Sequence, residues 1–206
     1  MLRILCIILS ASFMFACTMP DTKIYSLYLP DVTARHEDQK TEKVFIKGVN
    51  DDNRVSLVIL MHSPRYLSQS YIVYRNSPYQ LDISRYAKWA APPTEMITSA
   101  LRDYLFSTGF FKEVKVSNSV PEGYYAMELN LKKFERSDTG GDSFGEILFD
   151  VKLISPENKE LCRDTISKRA KLGDTSFLNL AKGLSSAIGE SIEAVRDSIS
   201  KFVNPS

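Results

Sequence analysis

The chain is poor in the residues that build reactive centres: 206 residues include 2 His, 3 Cys and 1 Trp. His36 lies in a polar stretch and His62 precedes Ser63-Pro64, and neither has a partner at metal-ligand spacing. Cys6, Cys17 and Cys162 form no CxxC pair, so an ordinary zinc cluster is excluded and no metal is expected. GxSxG, Walker and HExxH motifs are absent. The expectation is a chain without catalytic residues or a cofactor, apart from lipid on one cysteine. Charge of one sign is also missing. With 26 Lys+Arg against 25 Asp+Glu, the surface is too balanced to be built for neutralising nucleic-acid phosphates. Gly and Pro number 9 each and 44% of residues are hydrophobic, which excludes collagen-like and disordered chains. No apolar run reaches the roughly 20 residues of a membrane-spanning helix. The length suits one domain with an ordinary core.

What is present begins at the N-terminus. Arg3 is followed by Ile4 to Leu9 and an apolar stretch to Phe15, the layout of a secretory signal. It ends at Met14-Phe15-Ala16-Cys17, which resembles a bacterial lipobox, although Met14 and Phe15 depart from the usual residues. The reading is a lipoprotein signal over 1–16, lipid attachment at Cys17, a lipidated tether over 17–23 and a folded domain over 24–206. Thr18 after Cys17, in place of the aspartate of an inner-membrane retention signal, points to the outer membrane. Six tether residues, 18–23, span at most roughly 20 Å. Cys162 reads as a buried small hydrophobe.

Along the domain, Ile24–Leu29 reads as a strand ended by Pro30, Val44–Ile46 as a short strand, and Asn50–Asn53 as a turn. Val55–Met61 is nearly continuous apolar, as in a strand buried on both faces, and Tyr71–Tyr74 is a further strand. Pro92-Pro93 opens a helix whose apolar stripe is Met96, Ile97, Ala100, Leu101, Tyr104 and Leu105, with Gly109 placed as a left-handed cap. A strand from Phe110 to Val116 follows, so strand, helix and strand form a crossover unit.

Tyr125, Met127, Leu129 and Leu131 then alternate with polar residues until Phe134 breaks the parity, which predicts a bulge near Lys133. Ile147 to Leu153 and Leu161 to Ile166 continue an antiparallel meander. The Asp138–Glu146 segment lacks the ligand alternation of a calcium loop and reads as a hairpin tip. A long helix with Phe177, Leu180, Leu184, Ile188, Ile192, Val195, Ile199 and Phe202 on one stripe closes the chain. The fold class expected is α+β, a single mixed or antiparallel sheet with two main amphipathic helices packed on it.

Aromatic residues are dense between Pro64 and Pro93: Tyr66, Tyr71, Tyr74, Tyr79, Tyr86 and Trp89. Tyr and Trp are enriched in interface cores, so Tyr66, Leu67 and Trp89 are the candidate partner-binding residues. The alternative is that they pack inward.

The segments Pro64-Arg65-Tyr66-Leu67, Ile72-Val73-Tyr74-Arg75 and Trp89-Ala90-Ala91-Pro92, with the early Tyr-rich strand and the closing helix, resemble the ABC-type transport auxiliary lipoproteins. That family includes paraquat-inducible lipoprotein C. Ser68-Gln69 and Ala91 depart from its pattern. The resemblance implies a non-catalytic outer-membrane lipoprotein on the periplasmic face, accessory to a mammalian-cell-entry (MCE) type ABC transport system. Its partners would be MCE-domain and transporter components, with homo-oligomerisation a further possibility and lipid or another hydrophobic molecule as cargo. The second reading is a lipid-binding module that itself holds the cargo between sheet and helices; the third, an envelope hydrolase, finds no nucleophile–base pair in the sequence.

Overall fold

A computed structural model describes residues 21–29 and 55–203. The signal, Cys17, the Val44–Ile46 strand and the Asn50–Asn53 turn lie outside the described residues. Eight strands form one mixed sheet: β1 Lys23–Tyr25, β2 Val55–His62, β3 Tyr71–Ser77, β4 Gln80–Trp89, β5 Phe111–Val116, β6 Tyr125–Thr139, β7 Asp142–Ile154 and β8 Glu160–Lys171. Two long helices, α1 Pro93–Ser107 and α2 Phe177–Val203, complete the α+β architecture expected from the sequence.

The 15-residue strand β6 organises the sheet. One edge carries β7 in antiparallel register from Ala126↔Ile154 to Thr139↔Asp142, and β8 continues the meander. The other edge is shared end to end. Its first half pairs in parallel with β2, Leu57↔Tyr125 to His62↔Asn130, and its second half with β3 at Tyr74↔Arg136 and Arg75↔Ser137. The expected bulge falls between Leu131 and Lys133, at the joint between the two halves. A 3-10 turn, Arg65–Ser68, carries the chain from β2 to β3 and plugs the joint with Leu67, which is fully buried. The two-residue β6–β7 loop is Gly140-Gly141, both at positive φ (64° and 85°), as a type I′ hairpin turn requires.

β1 is shorter than the expected Ile24–Leu29 strand. The amide of Ala90 donates to the Tyr25 carbonyl at 2.7 Å and closes the ladder, and then the amide of Tyr28 donates to Ser185 Oγ of α2 at 3.0 Å. The chain thus leaves the sheet to cross over a helix. β4 pairs antiparallel with β3 and parallel with β1. Leu81, Ile83, Ala87 and Trp89 alternate with Asp82, Ser84, Tyr86 and Lys88, broken at Arg85, and its pairing with β3 is irregular between Tyr71/Val73 and Tyr74/Ser77.

Both helices pack on one face over a continuous core. Ile97, Leu101, Tyr104 and Leu105 of α1 are buried, and Gly109 follows at φ 73° as the expected cap. Leu180, Leu184, Ile188, Ile192, Val195 and Ile199 of α2 are buried against Leu129, Leu131, Ile147, Phe149, Val151 and Leu153. Two glycines let α2 approach the sheet closely. A Cβ on Gly145 would lie 3.3 Å from Leu184 Cγ, and one on Gly183 would lie 2.6 Å from Leu172 Cδ2. A smaller cluster, Val58, Leu60, Ala126 and Ile154, sits apart from this core; these residues alternate with the core positions of their strands, so they lie on the opposite face.

Candidate functional site

Three places on the domain combine polar or apolar chemistry with accessibility. The first is an ion-pair ladder on the sheet face away from the helices. Lys132 Nζ meets Asp150 at 2.5 Å and Thr165 Oγ donates to the same carboxylate at 2.9 Å, while Lys133 and Arg169 each approach Glu146 at 3.0 Å. The ladder ends in a buried pair. Arg75 Nε donates to Glu135 Oε1 at 2.7 Å, Glu135 is 0% exposed, and its Oε2 has no partner among the described residues. Glu135 also stands directly opposite Glu146 in the β6–β7 register. Two carboxylates so placed repel, and Arg75, Lys133 and Arg169 supply the compensating charge.

Tyr66 belongs to this ladder. Its hydroxyl donates to the Lys132 carbonyl at 3.5 Å, and burial, followed by the Glu135 carboxylate, pushes its phenol above the usual tyrosine range. On the helix side of the same strand, Arg136 is buried over the rings of Tyr74 and Phe177, at 4.8 and 5.7 Å. It donates to Asp138 at 3.0–3.2 Å and to the Thr175 carbonyl, which pins the start of α2 to β6. Sequence spacing gave no signal for Glu135 or Arg136, because adjacent charges on a long strand look solvated until four neighbouring elements enclose them.

The second place is a shallow hollow of about 410 Å³ where β2 meets the start of α1, lined by His62, Ser63, Ser68, Thr94, Glu95 and Thr98 among others. Ser63 Oγ and Ser68 Oγ are 2.9 Å apart, and the Thr98 hydroxyl donates to the Thr94 carbonyl at 2.8 Å. The serines are therefore engaged with each other, and no hydrogen bond links His62 to either among the described residues. No group of three or more His, Cys, Asp and Glu side chains could hold a metal among the described residues.

The third is a groove of about 630 Å³ between residues 26–29 and α2, with Tyr104 of α1 at its floor. Its α2 wall is made of short side chains, Ala181, Ser185, Ser186 and Gly189, with Leu178 and Ile192 towards its ends. The groove exists because β1 stops early and the following residues rest across α2 through the Tyr28–Ser185 hydrogen bond.

The candidate partner residues do not form one surface. Leu67 is 0% exposed and Trp89 2%, with the Trp89 ring edge-on to Phe134 at 5.3 Å. Both are core side chains, which corrects their reading as docking anchors. Leu67 seals the joint in the sheet, and the Trp89 amide donates to the Ser70 carbonyl at 2.9 Å, which fixes the ring inward. Tyr66 is half-buried over the ladder. The exposed aromatics of this segment are instead Tyr71, Tyr79 and Tyr86, together with Ile83, on the β3–β4 hairpin. Cys162 packs against the core, and burial raises its thiol. Cys17 lies outside the described residues.

The described residues form a mixed sheet with two helices on one face and an apolar groove beside the second helix. The sequence model of the ABC-type transport auxiliary lipoprotein component matches residues 51–195, and the chain belongs to that family. No functionally curated protein matches the sequence. Among solved structures, protein XCC0632 from Xanthomonas campestris is similar at 17% identity, covering 88% of this chain and 96% of that one, with a TM-score of 0.67. An uncharacterized protein is similar at 16% identity, covering 87% of this chain and 99% of that one, with a TM-score of 0.63. At these identities the likeness is one of fold. No helix among the described residues is long and apolar enough to cross a membrane.

Proposed function

We propose that this auxiliary transport lipoprotein is a non-catalytic adaptor, anchored in the outer membrane through lipid on Cys17 and serving an MCE-type ABC system that moves lipid or another hydrophobic molecule. The observation that carries the reading is the family match over residues 51–195. The geometry supports it: Ser63 and Ser68 bond each other, and the helix-free sheet face is occupied by mutually paired charges. Partners dock on the β3–β4 hairpin, where Tyr79 is 96% exposed and Tyr86 47%. The space between sheet and helices, where the second reading put the cargo, is filled by core side chains such as Leu131, Ile147 and Leu184.

The test is affinity purification of the native lipoprotein from its own envelope. Permease, ATPase and MCE-domain subunits should co-purify, and a Tyr79→Ala/Tyr86→Ala variant should lose them while folding normally. Cys17→Ser should release the protein from the outer-membrane fraction and abolish palmitate labelling. Retention with undiminished labelling would refute the anchor, and purification without any transporter subunit would refute the adaptor.

A further inference from the structure

The groove between residues 26–29 and α2 is not needed to fold the domain, since the core closes beneath it. We propose that it holds one acyl chain of an anionic membrane lipid, with the headgroup beside Lys182. The inference rests on the transport reading for its class of ligand and on the groove for its geometry.

Length and volume agree with such an occupant. Leu178 to Glu193, the extremes of the α2 lining, are about 22 Å apart along the helix axis. The hydrocarbon of one leaflet is about 15 Å deep, half of a bilayer core, so a chain lies in the groove with room for its attachment. The volume of about 630 Å³ falls among small-molecule sites. Lining chemistry points the same way. Leu178 and Tyr28, 55% and 73% exposed, flank the mouth, and Ala181, Gly189, Ile192 and Tyr104 line much of the rest beside Ser26, Ser185 and Ser186.

Ser185 sits in the middle of the wall but is already engaged, accepting from the Tyr28 amide at 3.0 Å and donating to the Ala181 carbonyl at 2.7 Å. The Tyr104 hydroxyl accepts from Arg196 Nη1 at 2.8 Å. A hydrocarbon occupant therefore costs these groups no hydrogen bond, and a polar occupant gains little from them.

Charge sets the direction of the chain. Lys182 is the one cation among the lining residues and forms no ion pair among the described residues, although its charge reaches Asp174. Glu190 and Glu193 line the opposite end, with Glu190 held by Lys168 at 3.3 Å. A phosphate is attracted at one end and repelled at the other, so an anionic headgroup settles at Lys182 and its tail runs towards Ile192.

The experiment uses the full lipidated chain in phosphatidylcholine vesicles containing a minor fraction of phosphatidylglycerol with a diazirine in its tail. After irradiation, mass spectrometry locates the adducts, which should fall on Tyr104 or on α2 between Ala181 and Ile192. In Gly189→Leu the added Cβ meets nothing within 4 Å, so the new side chain enters the groove without disturbing the core. It should cut labelling about tenfold with Trp89 fluorescence unchanged. Should Gly189→Leu fold poorly, Ser186→Leu at an exposed lining position makes the same test. Lys182→Glu should reduce labelling by the phosphatidylglycerol probe and leave a diazirine phosphatidylcholine probe unaffected.

Adducts outside the groove, undiminished labelling in the filled variants, or a polypeptide adduct in place of lipid would overturn the proposal. Equal labelling by both probes in the wild type would overturn the anionic headgroup. Co-purification with transporter subunits is read separately. Its loss with groove labelling intact counts against the adaptor alone, and its persistence without groove labelling counts against the groove alone.

Discussion

Removing the guanidinium from the Arg75–Glu135 pair is the sharpest perturbation the structure offers. Glu135 is 0% exposed, its Oε1 accepts from Arg75 Nε at 2.7 Å, and its Oε2 has no partner among the described residues. Arg75→Met keeps the aliphatic stem but leaves the carboxylate unpaired opposite Glu146. Breaking a buried pair in this way costs about 3–5 kcal/mol. Arg75 keeps 27% of its side chain exposed, so water relieves part of the penalty and the expectation is the lower end, about 3 kcal/mol.

At about 2–4 °C per kcal/mol for a domain of this size, the melting temperature should fall by roughly 6–12 °C. Trp89, the only tryptophan, is 2% exposed, and its fluorescence reports unfolding in urea directly. The double variant Arg75→Met/Glu135→Leu should recover most of the loss, because an apolar pair of similar volume replaces the ions. A loss below about 1 kcal/mol, the range of exposed pairs, would mean that water reaches Glu135 and that the ladder is a surface feature.

Leu101→Ala and Ile188→Ala should each cost about 2–5 kcal/mol in the same urea assay, as both side chains are 1% exposed, while Arg102→Ala and Glu190→Ala should change stability little; equal effects at all four positions would refute the assignment of helix faces. Gly183→Val should destabilise by about 1–3 kcal/mol through overpacking, because a Cβ already lies 2.6 Å from Leu172 Cδ2; a neutral result would show that α2 rides higher on β8. Tyr66 titrates above the usual tyrosine range because of burial and then Glu135, so its contribution to stability is complete below about pH 10 and is lost as pH rises through its folded value; Tyr66→Phe should remove a late-titrating phenol from the ultraviolet titration. Asp150 is held low by the Lys132 hydrogen bond and then Thr165, so its contribution is present above the ordinary carboxylate range and lost as pH falls through the lowered value; Asp150→Asn should flatten the acid limb of the stability profile.

The sequence by itself determined those elements whose burial follows a simple period. Both helical stripes, the alternation of β6 to β8, the bulge before Phe134 and the glycine hairpin are local rules in which each residue's face follows from its neighbours in the chain. The family was legible because its signals are spread along the whole domain. Tertiary structure alone decided the rest. The place of β4 between β1 and β3 is set by its pairing with both, which its own alternation does not specify. Tyr66, Leu67 and Trp89 are neighbours in one aromatic-rich segment, yet the sheet's joint claims Leu67, the core claims Trp89 and the Glu135 ladder claims Tyr66. The groove was illegible for the same reason. It is a space between segments more than 140 residues apart, created where the Tyr28 amide finds Ser185 instead of a strand, and no local periodicity encodes the absence of atoms between two distant pieces of chain.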